Sequence, residues 1–273
     1  MSDDETTQIH RREPLIECTD LVCGYGETAI LEDINVDIYR GEIAALLGGS
    51  GSGKSTLLKT IVGLLPPLDG EVRVFGENLY ALPADERREY LKRTGMLFQY
   101  GALFGSRSNM DNVALPLREH TDLPEPVIEE MVLQRLALVG LKGLEDRLPA
   151  DISGGQRKRV ALARTTILDP EIVFCDEPSA GLDPIVAAGL DTVLRRFQKL
   201  FDMTMVVVTH ELESIKILAD RVIMLSGGRI LAVGTVPELQ DSDDEEVHNF
   251  FHRVPPDYAA EGRTVLESFD ETS

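Results

Sequence analysis

Eight residues constrain this chain more than any others. Gly48-Gly49-Ser50-Gly51-Ser52-Gly53-Lys54-Ser55 stand between the continuous apolar run 43–47 and the helically spaced segment 54–65. Glycine, four residues, then Gly-Lys-Ser is a phosphate-loop pattern, and a strand before it with a helix after it is the context the pattern requires. The glycines let the backbone curl until its N–H groups point at phosphate oxygens. The helix start adds its positive end. In this reading Lys54 reaches the β- and γ-phosphates and Ser55 ligates Mg²⁺.

A second segment complements the first. Ile172-Val173-Phe174-Cys175 is apolar and is followed at once by Asp176 and Glu177. A carboxylate at the carboxyl end of a buried strand stands where ligands bind in open α/β sheets. Asp176 is therefore expected to hold Mg²⁺ through water, and Glu177 to polarise an attacking water as general base. Ile152-Ser153-Gly154-Gly155-Gln156 opens a further helix. As a Ser-Gly-Gly helix start it is a second anion-binding terminus, far from the first in sequence. A single ATP held between two copies of the chain would use one terminus from each.

The rest of the chain alternates buried strands with helices. Strands are expected over 15–22, 34–39, 43–47, 71–75, 95–99, 172–176, 204–209, 222–226 and 229–233, the last two joined by a turn at Gly227-Gly228. Helices are expected over 54–65, 84–92, 125–139, 155–168, 184–200 and 212–219. The first two strands alternate apolar and polar residues, as half-buried antiparallel strands do. The sum is α/β, with a mostly parallel core sheet and an antiparallel β portion. Residues 96–117 are apolar but broken by Gly, Ser, Asn and Asp, and read as loop and helix start.

Of 273 residues, 47 are acidic and 27 basic, for a formal charge of −20. That balance argues against a nucleic-acid binder. Cys18, Cys23 and Cys175, odd in number and irregular in spacing, read as small buried hydrophobes and not as a disulfide or zinc framework. The start of the chain lacks an apolar leader and no run reaches membrane-helix length, so a soluble, cytoplasmic protein is expected.

In combination these motifs resemble one family, the ATP-binding subunits of ABC transporters, over about residues 15–240. Residues 48–55 resemble its Walker A motif, with Thr56 also expected at the ATP, 172–177 its Walker B motif with the catalytic glutamate, and 152–156 its signature, with Ile152 in place of the usual Leu. Gln99 matches the Q-loop glutamine that contacts Mg²⁺ and water, and Tyr25 the aromatic that stacks on adenine. Ser179-Ala180-Gly181-Leu182-Asp183 matches the D-loop at the dimer interface, and His210 the switch histidine. The resemblance implies an ATP-hydrolysing homodimer, closing head to tail over two ATP molecules with Mg²⁺. It implies an ATPase domain over 14–240 with a helical signature subdomain at about 100–160, a disordered start over 1–13 and an acidic C-terminal extension over 241–273.

A chromosome or repair ATPase would need a long coiled coil splitting the head, and a tandem translation-type ATPase a second phosphate loop. Neither is in the sequence, which leaves a transporter motor. Phe98-Gln99 followed by Gly101-Ala102-Leu103-Phe104, Asp111-Asn112-Val113-Ala114 and Pro116-Leu117-Arg118-Glu119-His120 resembles the ATPases of MCE-type (Mla-like) lipid transporters. So does Val247, Phe250 and Phe251 after an acid run. That resemblance implies an integral-membrane permease docking on Phe98, Leu103, Phe104 and Met110, and an MCE-domain lipid-binding protein. It also implies a peripheral place on the cytoplasmic face of a Gram-negative inner membrane. The alternative is the ATPase of a polar amino-acid-type importer.

Overall fold

The chain folds around two sheets, and a computed structural model describes residues 13–254. The expected disordered start, apart from Glu13, and the end of the acidic extension from residue 255 on lie outside the described residues. β1 (Pro14–Tyr25) and β2 (Thr28–Tyr39) form a long hairpin. Both strands run further than the alternation indicates, because bulges break the alternation: Asp20 and Asp33 take positive φ, and the pairing register shifts between Cys18 and Leu21. β3 (Ile43–Leu47) leads into α1 (Lys54–Val62). That helix is three residues shorter than expected. Gly63 adopts φ 90° and caps it, and the N–H groups of Leu64 and Leu65 turn back to the Lys59 carbonyl. A left-handed C-cap is reached most cheaply by glycine, so the helix ends before the two prolines.

Next come β4 (Asp69–Val74), β5 (Glu77–Asn78), α2 (Ala84–Lys92), β6 (Thr94–Leu97), α3 (Asn109–His120), α4 (Glu125–Leu138) and α5 (Gly154–Thr166). The chain continues through β7 (Ile172–Asp176), α6 (Pro184–Phe201), β8 (Thr204–Val208), α7 (Leu212–Leu218), β9 (Arg221–Ser226) and β10 (Arg229–Gly234). The four-stranded antiparallel sheet has the order β2-β1-β4-β5, and the six-stranded sheet β10-β9-β3-β8-β7-β6. In the latter every pairing is parallel except β10 with β9.

β3, β7 and β8 read as unbroken apolar runs because both faces are covered. Ala44, Leu46, Phe174, Val206 and Val208 join the core shared with α1 and the antiparallel sheet. Ile43, Val173, Cys175, Met205 and Val207 join the core under α3, α4, α5 and α6. All three cysteines are free and buried. The chain divides into two compact units at Val236/Pro237. α8 (Val236–Gln240) spans the division, and α9 (Glu245–Phe251) follows it, capped by Asp244 and burying Val247 and Phe251.

The reading of 96–117 as loop and helix start agrees with the structure, though the expected helices include none that runs on to His120. α3 is a full helix, with Ser108 as N-cap and Pro116 inside it. Its polar residues serve the loop before it. The buried Asn112 amide donates to the carbonyls of Phe104 (3.1 Å), Arg107 (3.1 Å) and Ser108 (3.0 Å) and accepts from the Phe104 N–H (2.8 Å). Asn112→Ala should leave these groups unpaired at a cost of about 2 kcal/mol, a fall in Tm of roughly 4–8 °C. Differential scanning calorimetry on the purified chain checks this; an unchanged Tm would mean the loop is held by other contacts.

Candidate nucleotide site

Strand register builds the site. Leu46 of β3 and Asp176 of β7 both pair with Val208 of β8, so three neighbouring parallel strands end in one row. The phosphate loop leaves β3, Glu177 leaves β7 and His210 follows β8 at that edge, where open parallel sheets bind ligands. Lys54, the first residue of α1, is 8% exposed. Its Nζ donates to the carbonyls of Gly49 (2.7 Å) and Gly48 (2.9 Å) and to Ser52 Oγ (3.3 Å). Burial pushes the Lys54 ammonium below its ordinary pKa, while Glu177 and Asp176 push it back. Asp176 is raised, first by burial and then by Glu177, against Lys59, Lys158 and Lys54. Two carboxylates and three ammonium groups therefore share one edge, a field that a polyphosphate with a cation can complete.

Glu177 takes φ 48°, a left-handed conformation that costs a residue with a Cβ about 1 kcal/mol or more. Its N–H is fixed to the Val208 carbonyl at 2.9 Å. Its Oε1 meets His210 Nδ1 at 2.8 Å. Oε2 is buried without a partner, so half of this carboxylate is unsatisfied within the chain. Lys158, a residue the motif reading passed over, donates to the backbone carbonyls of Gln99 and of Glu177 (3.4 Å). It ties the loop after β6 to the loop after β7. Its only signal in sequence is its place on the buried stripe of α5, where an ammonium is rare.

Tyr25 stands at the end of β1, half exposed, with Lys59 Nζ 3.3 Å from its hydroxyl. Hydrogen bonds from Lys59 and Thr56 lower its phenol pKa. Tyr25 and Thr56 thus lie on the phosphate-loop side. Ser153 and Gln156 make a reciprocal capping box at the start of α5, at 3.3 and 2.9 Å. Gly155 has a packing reason as well: a Cβ there would stand 2.4 Å from Val186 Cγ1 of α6. Asp183 caps α6 through the Val186 N–H at 3.1 Å. The structure gathers Lys54, Asp176, Glu177, Gln99 and His210 around one edge, and gathers Ser153–Gln156 with Asp183 at a second place, where α5 and α6 begin.

The comparisons decide the family. The ABC transporter family model matches residues 31–180. This chain belongs to the ABC transporter family. It is 41% identical over 236 residues to the intermembrane phospholipid transport system ATP-binding protein MlaF of Haemophilus influenzae, spanning 86% of this chain and 89% of that one. It is 41% identical over 243 residues to a probable ribonucleotide transport ATP-binding protein, mkl, of Mycobacterium leprae, spanning 88% and 70%. Among solved structures, the dimeric ATP-binding cassette MJ0796, in a post-hydrolysis state bound to ADP and phosphate, superposes with TM-score 0.72 at 28% identity, over 81% of this chain and 98% of that one. This ABC subunit binds ATP and hydrolyses it to power transport.

Mg²⁺ fits the donors present. The Ser55 hydroxyl, the Asp176 carboxylate and the Gln99 amide offer hard oxygen donors, and Mg²⁺ favours a few of these plus phosphate oxygens over an all-protein cage. No group of three or more His, Cys, Asp or Glu forms such a cage among the described residues. No helix among them is long and apolar enough to cross a membrane.

This ABC ATPase also carries an apolar groove of about 430 Å³, lined by Leu91 of α2, Met96 of β6, Phe98, Pro116 of α3 and Leu168, with Arg88, Lys92 and Arg164 among its cations. Of the four expected docking residues, only Phe98 lines it. Leu103 and Met110 pack partly buried against the core. Phe104 is half exposed beside Arg107. The groove joins segments far apart in sequence, so no local pattern reveals Met96, Pro116 or Leu168.

Proposed function

We propose that this chain is the ATPase of an MCE-type phospholipid transporter, working as a homodimer on the cytoplasmic face of the inner membrane. The observation that carries the chemistry is the Glu177–His210 pair at 2.8 Å, set beside the phosphate loop. The cargo rests on similarity to a phospholipid-transport ATP-binding protein over most of both chains. That likeness favours a lipid over a polar amino acid.

Lys54 and the N–H groups of residues 48–56 bind the β- and γ-phosphates. Ser55, Gln99 and Asp176 would hold Mg²⁺, which when bound neutralises charge on the phosphate oxygens. Tyr25 stacks on adenine. Glu177 accepts a proton from the attacking water, and His210 and Gln99 hold that geometry. Ser153, Gly154, Gly155 and Gln156 of one protomer close over the ATP held by the other, with Asp183 at the interface. The dimeric state of the MJ0796 relative supports this arrangement.

The groove receives a short helix of the integral-membrane permease, and an MCE-domain protein completes the transporter. Phe98 is 42% exposed and lies in the groove wall. Phe98→Asp puts a carboxylate into an apolar contact, so association with the permease should weaken about 100-fold. Co-purification of tagged chain and permease, with ATP-driven phospholipid movement between vesicles, is the measurement. An intact complex would remove the groove from the docking reading, and an intact complex that moves no phospholipid would remove the cargo.

A further inference from the structure

One buried carboxylate has no part in the mechanism above. Asp191 lies on α6, 1% exposed. The Ser179 hydroxyl donates to its Oδ1 at 2.5 Å, and the Ser214 hydroxyl of α7 stands beside the same carboxylate and favours its charged form. Ser179 and Ser214 are themselves buried. Burial raises the Asp191 pKa and these two hydroxyls lower it, with no cation among the causes. Beside it, burial and then the Asp191 charge push the Cys175 thiol to about 12.

A buried carboxylate with one hydrogen-bonded hydroxyl and a second beside it costs more than an apolar residue at the same place would. Its partners give that cost a role. Ser179 is two residues beyond Glu177, and Ser214 is four beyond His210. The segments that meet at the 2.8 Å Glu177–His210 contact therefore come together a second time, at Asp191, which bonds Ser179 and stands beside the buried Ser214.

We propose that Asp191 is a positioning residue for ATP hydrolysis. Its carboxylate pins the loop carrying Glu177 and the helix following His210 to one point, and so sets the contact between those two side chains. This rests on the roles given above to Glu177 and His210.

The test uses the full chain with MgATP in steady state. Asp191→Leu keeps the shape and removes both acceptors. Its kcat should fall about tenfold with KM for ATP changed by less than about twofold, because misplacing a catalytic pair slows chemistry without weakening ground-state binding. Asp191→Asn keeps an acceptor for Ser179 and should recover kcat to within about threefold of the native value. Ser214→Ala should cost about threefold in kcat and add little further in the Asp191→Leu background, since both cut one link.

The proposal is overturned if folded Asp191→Leu hydrolyses ATP within about twofold of the native kcat, or if KM rises in step with the loss. Should Asp191→Leu not fold, an undiminished kcat in Ser214→Ala overturns it instead. A Glu177→Gln chain that still hydrolyses at full rate removes the reading beneath the proposal. An inactive Glu177→Gln beside an unimpaired Asp191→Leu removes the proposal alone.

Discussion

Glu177→Gln should lower kcat by about 10²- to 10⁴-fold, the range general bases contribute, while ATP still binds. The amide occupies the same volume and its oxygen still meets His210 Nδ1, now 2.8 Å from the carboxylate oxygen. The backbone at φ 48° is held by the Val208 carbonyl and not by the side chain. What disappears is the proton-accepting charge. Affinity for ATP should stay close to native, because the proposed phosphate contacts are those of Lys54 and the loop amides, not of Glu177. Single-turnover hydrolysis separates the two quantities, and light scattering with ATP should find a lasting dimer. A variant that keeps more than about a tenth of the native rate would deny Glu177 the role of base.

Lys54→Met makes the opposite division. Hydrogen bonds from a charged donor contribute about 1.5–3 kcal/mol, so ATP should bind roughly 10- to 100-fold more weakly. The fold should barely change. The Lys54 ammonium is already penalised by burial, with its pKa held down, and an apolar side chain of similar length avoids that penalty. The carbonyls of Gly48 and Gly49 lose a donor, which sets a limit on the gain. Fluorescent-nucleotide titration and Tm without nucleotide check both halves. A large drop in Tm with little change in affinity would make Lys54 a structural brace of the loop.

Much of this arrangement is legible in the order of the amino acids. β3, β7 and β8 announce themselves because strands covered on both faces have few polar positions, and the apolar run of β7 stops at Asp176, where the sheet ends. The glycines of the phosphate loop carry their own geometry. Other parts lie beyond local pattern. α3 hides because Pro116 interrupts it and because Asn109 and Asn112, polar in sequence, are fully buried. The groove hides because it is assembled from α2, β6, α3 and the segment after α5. Asp191 leaves only a faint trace: it falls on the stripe Ala187, Leu190, Leu194 and Phe197 that α6 buries. A carboxylate at that spacing marks a buried polar link, but nothing in the sequence says to what.

The helix α5 runs for 13 residues, about 20 Å at 1.5 Å per residue. Its start carries Ser153 and Gly155. Its end grips the chain beside the groove: Arg164 holds the carbonyls of Gly101 (2.7 Å) and Ala102 (2.8 Å), and Thr165 holds that of Met96 (3.1 Å). Beyond Gly155 it has neither glycine nor proline and so no ready kink. On the proposed function it would act as a lever, with its tip at the nucleotide and its handle at the groove. A tilt imposed at the handle would then reach the tip with little bending, so loading the groove and closing over ATP would be two readings of one rotation.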